Sequence, residues 1–163
     1  MTTTESAIRY LLDTRALDDL IHRQALAVDR HEWDVYRACM DDEVTFDFRS
    51  HTDDVLHKGV GIVRDPAIWV EAVSKAVTGF DATQHIVTNL VHTIDGDRAQ
   101  SVCFVLAEHI LNNDFGDRSI TVGGTYTIGS VRRPSGWKIK EFYLKVLWYK
   151  GNISLYELAA RGR

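Results

Sequence analysis

Cysteine is scarce: only Cys39 and Cys103 occur, outside any CxxC and away from histidines at metal-binding spacing. That excludes a disulfide framework and a thiolate zinc site. No block of lysine and arginine occurs either, and the net charge is −4. A nucleic-acid partner would need a basic face to meet its phosphates, so none is expected. The longest apolar runs fall far short of the roughly 20 residues that a membrane span requires. The first ten residues, MTTTESAIRY, lack both the basic start and the apolar core of a secretory signal. These absences together predict a cytoplasmic protein with no membrane partner. Signature loops are missing as well: there is no GxxxxGK[ST], GxSxG or HExxH. Gly59-Val60-Gly61 is followed by Arg64 where a dinucleotide loop needs glycine.

What is present is an ordinary globular composition over 163 residues, 45% hydrophobic and 26% charged, with no stretch that reads as a linker. One domain over residues 1–163 is expected, burying roughly 68–70% of its unfolded surface, enough to enclose a pocket. Leu17, Leu20, Ile21, Ala25 and Val28 recur at helical spacing from Thr14 to Arg30. Thr14 is a candidate cap for that helix, and Thr4 for an earlier turn carrying Ile8, Leu11 and Leu12. A second helix is predicted over Glu32–Met40, ended by Asp41-Asp42-Glu43. Val44, Phe46 and Phe48 then alternate with polar residues, as in a half-buried strand. Residues 50–60 read as a polar loop. Asp65-Pro66 marks the start of a third helix, which runs to Gly79.

Beyond Gly79 the period becomes two. Strands are predicted near 83–94, 99–112, 119–131 and 137–149, joined at Asp95-Gly96, Asn112 to Gly116, and Arg133 to Gly136. Helices followed by an antiparallel meander give an α+β order. Both faces of the 99–107 strand are apolar. Helices can cover one face, and a partner subunit or the curvature of the sheet must cover the other. Gly123-Gly124 inside a strand predicts a bulge or sharp bend.

His85 is the first chemical candidate, because imidazole exchanges a proton near neutrality. On an ideal strand it shares its side with Val87, Asn89 and Val91. It is read as a general base or as a core histidine bonded to backbone. Asp29 ends the first helix, where the macrodipole disfavours a carboxylate. It is read as the partner of His85, as a cap, or as a pair for Arg30 or Arg37. His109 either faces the same cavity as His85 or occupies a surface strand position. Gln24, Phe46, Tyr126, Phe142 and Trp148 are candidate substrate contacts, with Tyr143 a further aromatic of the same kind. His51, Asp53, Asp54 and His57 are read as a solvated loop rather than a metal site.

The segments AVDRHEWD, DDEVTFDF, KGVGI, ATQHIVTN, GGTYT, GWKI and WYKGN, in that order, resemble the SnoaL-like family of the nuclear-transport-factor-2-like superfamily. The resemblance runs over about residues 8 to 155 and is nearest to scytalone dehydratases and hexachlorocyclohexane dehydrochlorinases. It implies an α+β, cone-shaped fold: three N-terminal helices on a strongly curved, mainly antiparallel sheet around a hydrophobic pocket. It also implies an Asp29–His85 base for elimination from a small hydrophobic cyclic, aromatic or polyketide-like substrate, with no cofactor and no metal. The two tyrosines that polarise the substrate oxygen in scytalone dehydratases have no counterpart here, since Val28 precedes Asp29 and Phe46 or Phe48 occupies the nearby strand. The superfamily also holds polyketide cyclases, ketosteroid isomerases and non-catalytic β subunits of ring-hydroxylating dioxygenases, so those readings stand as alternatives. Self-association as a dimer or trimer is expected in each case.

Overall fold

A threonine at the very start of the chain sets the first helix. In the computed structural model, which describes residues 2–47, 62–114 and 116–161, α1 runs from Thr3 to Asp29 without a break. Thr2 accepts a hydrogen bond from the Glu5 backbone N–H, and the Glu5 carboxylate accepts one from the Thr2 N–H. This reciprocal capping box replaces the caps expected at Thr14 and Thr4. Ile8, Leu11 and Leu12 are exposed, so capping and propensity, not burial, carry the first turns of the helix. Further along, Leu17, Leu20, Ile21, Ala25 and Val28 are buried, as their spacing predicts.

The other helices are α2 (Trp33–Ala38) and α3 (Pro66–Val77). Asp65 caps α3 by accepting the Ala67 N–H at 2.8 Å. Gly79 follows α3 for a packing reason: a Cβ there would lie 2.1 Å from the Ala159 carbonyl oxygen. Ala159 belongs to α4 (Leu155–Arg161), a C-terminal helix not expected from the apolar periodicity.

The strands are β1 (Met40–Asp47), β2 (Ile62–Val63), β3 (Ala82–Asp95), β4 (Arg98–Ile110), β5 (Ser119–Arg133) and β6 (Gly136–Gly151), in spatial order β2-β1-β6-β5-β4-β3. The four long strands form the expected antiparallel meander, and β1 joins β6 in parallel. Asp41-Asp42-Glu43 does not end an element; it lies within β1, at a register irregularity between Met40 and Thr45. Asp41 turns inward and is held by the Arg133 guanidinium at 2.9 and 2.6 Å. A paired carboxylate tolerates burial that an unpaired one would not. His51, Asp53, Asp54, His57 and Gly59-Val60-Gly61, read above as loop, and Phe48 lie outside the described residues.

On β4 the alternation is clean: Ala99, Ser101, Cys103, Val105, Ala107 and His109 point into the core beneath the helices. Val102, Phe104 and Leu106 stay partly exposed on the other face. The register shifts between Thr88 and Val91, at Gly123/Gly124 and at Gly129/Ser130, the interruptions at which strands bend and twist more strongly. Gly123 leaves room for the Trp148 ring, whose atoms would stand 2.2 Å from an added Cβ.

The bulge in β3 alters the expected neighbours of His85. Asn89 adopts φ 57° and supplies one extra residue opposite β4. Alternation therefore reverses: Thr83, His85 and Val87 face inward, then Leu90, His92 and Ile94 do, while Asn89 and Val91 point out. Asparagine tolerates the left-handed region and β-branched residues do not. Asn89→Val should lower stability by about 1–2 kcal/mol in chemical denaturation, and Asn89→Gly should stay within about 1 kcal/mol of the parent.

Candidate active site

Asp29 owes its position to the way α1 stops. The His31 N–H donates to the Val28 carbonyl at 3.1 Å and the Glu32 N–H to the Ala27 carbonyl at 2.8 Å, with His31 at φ 56°. This Schellman arrangement satisfies the last carbonyls and makes Asp29 the final helical residue. His31 stacks on Trp33 at 5.5 Å, which fixes the exit of the chain.

The Asp29 carboxylate then receives three donors from β3. The Thr83 hydroxyl donates at 2.9 Å, the His85 backbone N–H at 2.7 Å, and His85 Nδ1 lies 2.7 Å away. Burial pushes the Asp29 carboxyl up, but the His85 side-chain and backbone hydrogen bonds and the Thr83 bond outweigh it. The net effect is a pKa below the usual value. An ionised carboxylate only accepts, so Nδ1 carries the imidazole proton and Nε2 keeps its lone pair. Arg37, a candidate partner for Asp29, is engaged with Asp42 instead.

His85 lies on the wall of a cavity of about 230 Å³ enclosed by α1, α3, α4 and the inner sheet face. Val28, Val73, Val105, Val122 and Leu144 make most of it apolar. Gln24, Tyr126 and Phe142 line it, as does His109. His109 is 4% exposed, so the alternative of a surface position falls. Its ring stands perpendicular to that of His85 at 5.6 Å, and the Tyr156 hydroxyl approaches its Nδ1 at 3.2 Å. Burial first, and the neighbouring His85 second, push His109 down to about 4. At neutral pH it is an uncharged imidazole able to donate one N–H, not a strong acid.

Phe46 sits behind the cavity rather than in its lining. It is fully buried, stacked on Trp69 at 4.2 Å and against Phe142 at 5.8 Å. Trp148 is half exposed on β6 over Gly123, and neither it nor Tyr143 belongs to the lining. Residue 148 follows the Gly123/Gly124 bulge partner, so ideal alternation along β6 misplaces it. Burial pushes the Cys103 thiol up to about 11, which removes it as a nucleophile. Among the described residues no group of three or more His, Cys, Asp and Glu gathers as a metal site.

Three aromatic lining residues, Trp69, Tyr36 and Tyr156, were not among the candidates read from the sequence. Trp69 donates its indole N–H to the Tyr36 hydroxyl at 2.8 Å, and both rings border the cavity. Burial holds the Tyr36 and Tyr126 phenols well above the usual range. Both therefore stay protonated as donors. Tyr156 arrives on α4, and Ser154-x-x-Glu157 before Leu-Ala-Ala was the available signal for that helix.

The SnoaL-like domain model matches residues 9–143. No curated protein matches the chain. Among solved structures, the Kfla4162 protein of Kribbella flavida is 27% identical with a TM-score of 0.79, covering 92% of this chain and 98% of that one. A hexachlorocyclohexane dehydrochlorinase, LinA-type3 of Novosphingobium barchaimii LL02, is 19% identical with a TM-score of 0.74, covering 90% and 94%. A Novosphingobium aromaticivorans protein with a provisional scytalone dehydratase assignment is 16% identical with a TM-score of 0.75, covering 88% and 89%. At the latter two identities the likeness is one of fold. No helix among the described residues is long and apolar enough to cross a membrane.

Proposed function

The chain belongs to the SnoaL-like domain family, and from that premise we propose that it is a lyase-type enzyme catalysing base-promoted elimination. The observation that carries this reading is the Asp29–His85 pair, 2.7 Å apart, set in the wall of an apolar cavity. His85 Nε2 takes a proton from a ring carbon beside a carbonyl or beside the carbon that bears the leaving group. The C–H electron pair forms the new double bond and the leaving group departs with its own pair. Asp29 stabilises the imidazolium formed, the role a buried carboxylate plays behind a catalytic histidine. In a dehydration the imidazolium returns its proton to the departing hydroxyl, so water leaves and His85 is neutral again. The two fold neighbours are named for removal of hydrogen chloride and of water, both instances of this reaction class.

Cavity size bounds the substrate. An apolar cavity of about 150 Å³ holds benzene, so about 230 Å³ fits a compact molecule of one or two rings. Tyr126 and the Trp69-supported Tyr36 supply donors for a carbonyl oxygen. Neutral His109 supplies another beside the base. Half-exposed Phe104 and Trp148 on the outer sheet face fit self-association there.

The test is to incubate the protein in D₂O with cyclic β-hydroxy ketones and chlorinated rings, following deuterium uptake and product mass. Turnover that depends on His85 supports the reading, and equal turnover by His85→Gln overturns it. A product isomeric with its substrate would assign the same proton removal to an isomerase or cyclase.

Two tyrosine variants separate binding from stability. Tyr126→Phe should lower kcat/KM by roughly 10²-fold, the scale of one lost oxyanion donor, with little change in melting. Tyr36→Phe also removes the hydroxyl that accepts the Trp69 N–H and should cost about 1 kcal/mol of stability as well. Kinetics beside thermal denaturation reads both.

A further inference from the structure

A second histidine on β3 makes an equally close contact with α1, outside the cavity. His92 Nε2 lies 2.9 Å from Asp18 Oδ1, and its Nδ1 lies 2.8 Å from the Ser101 hydroxyl on β4. The His92 side chain is 4% exposed and Ser101 is fully buried. Three facing residue types of this kind suggest a nucleophilic triad, but the geometry excludes it. The carboxylate accepts from Nε2–H and the Ser101 hydroxyl is bonded to Nδ1, so both ring nitrogens are occupied. No substrate reaches Ser101 Oγ. At His85 the carboxylate instead meets Nδ1, and the ring lines the cavity.

The spacing shows what the contact is for. Asp18 and Asp29 are eleven residues apart, three helical turns with about 20° to spare, so both carboxylates lie on one face of α1. His85 and His92 are seven apart, an odd number that puts them on opposite faces of an ideal strand. The Asn89 bulge adds the one residue that restores both imidazoles to the side facing α1. Two Asp–His contacts thus fasten one rigid helix to one strand at two points. They add to the Arg132–Asp13 pair that ties the start of α1 to β5, and of these contacts, those of Asp29 aside, only the His92 one joins α1 to the strand that carries His85.

We propose that Asp18, His92 and Ser101 are positioning residues for the Asp29–His85 pair, holding α1 in the axial register at which Asp29 meets His85 Nδ1. The assignment of catalysis to that pair is the reading given above, and the register argument rests on it only for its effect on rate. His92→Phe keeps a flat ring and loses both hydrogen bonds. Asp18→Asn keeps an acceptor for Nε2–H and serves as the conservative control.

The experiment is long-range ¹H–¹⁵N NMR of the histidine rings in the full chain without substrate. The parent should show His85 protonated at Nδ1 with a far-downfield proton, and His92 protonated at Nε2. In His92→Phe the His85 Nδ1 proton should move upfield or broaden, and in Asp18→Asn it should stay near its parent position. With a substrate in hand, His92→Phe should lose about tenfold in kcat with less change in KM. Should His92→Phe fail to fold, Asp18→Ala gives the same reading from a helix-surface position. An unmoved His85 proton in a folded variant that lacks the distal contact overturns the proposal, even where the His85 chemistry stands. A moved proton in a protein without eliminating activity keeps the register coupling and removes the catalytic reading instead.

Discussion

His85→Gln should lower kcat by about 10²–10⁴-fold, the usual worth of a positioned base, and Asp29→Asn should fall by a similar or larger factor. The second substitution is the more informative because it removes so little. An asparagine with its oxygen in the Oδ2 place still accepts from the His85 backbone N–H, held at 2.7 Å in the parent, while its amide takes the Oδ1 place that Thr83 and His85 Nδ1 share. Its amide NH₂ then faces His85 Nδ1 as a donor and forces the imidazole proton onto Nε2. That is the nitrogen the reaction needs bare. Placing a catalytic imidazole in the wrong tautomer costs about 10⁴-fold where the carboxylate has been replaced by its amide. Steady-state kinetics with circular dichroism on both variants checks the expectation. Full activity in folded Asp29→Asn would detach the carboxylate from the chemistry and leave it a strand-to-helix tie.

Stability should fall steeply between pH 7 and pH 4, and His109 should account for about 3 kcal/mol of the loss. The sign follows from where the proton goes. Unfolded His109 titrates near 6.5, whereas burial, and then His85 beside it, hold the folded group near 4. Between those values the unfolded chain binds a proton that the folded chain does not, so acidification favours unfolding. A shift of about 2.5 units at about 1.4 kcal/mol each is between about 3 and 4 kcal/mol in full, of which about 3 is lost by pH 4, where the folded group is half protonated. Urea denaturation across this range, in the parent and in His109→Gln, isolates the contribution as a difference in slope. Equal slopes would refute it. Asp29 acts in a separate window: its carboxyl is held below the usual 3.8, so its contribution is present above that value and disappears only as the pH falls through the lowered one.

Much of the fold follows from local pattern. The 3.6 period of Leu17, Leu20, Ile21 and Val28 marks the buried stripe of α1, Asp65-Pro66 marks the start of α3, and the change of period after Gly79 marks the sheet. Residue types make Asp29 and His85 candidates, but a cap, a pair with Arg30 or Arg37 and a core histidine fit the local pattern as well; the resemblance carried by AVDRHEWD and ATQHIVTN is what implies the pair. Local pattern misled wherever a distant contact changed a local rule. Asp41 looks like a helix terminator until Arg133, 92 positions away, turns it inward. His109 looks equally at home on the surface until α4 closes over it with Tyr156. Trp148 looks like a pocket residue until the bulges are counted.

The sequence by itself therefore determined α1, α3 and the four strands of the meander, with the apolar stripe of α1 and the period-two pattern of the sheet. Those properties depend on neighbours within a few positions along the chain. Only the tertiary structure decided which face His85 and His92 share, because one left-handed residue, Asn89, reverses the alternation of everything after it. Only the tertiary structure joined Asp29 to His85 and Asp18 to His92 as well. Those distances are set by how a rigid helix lies across a bulged strand, a relation between residues 56 and 74 positions apart that no local spacing encodes.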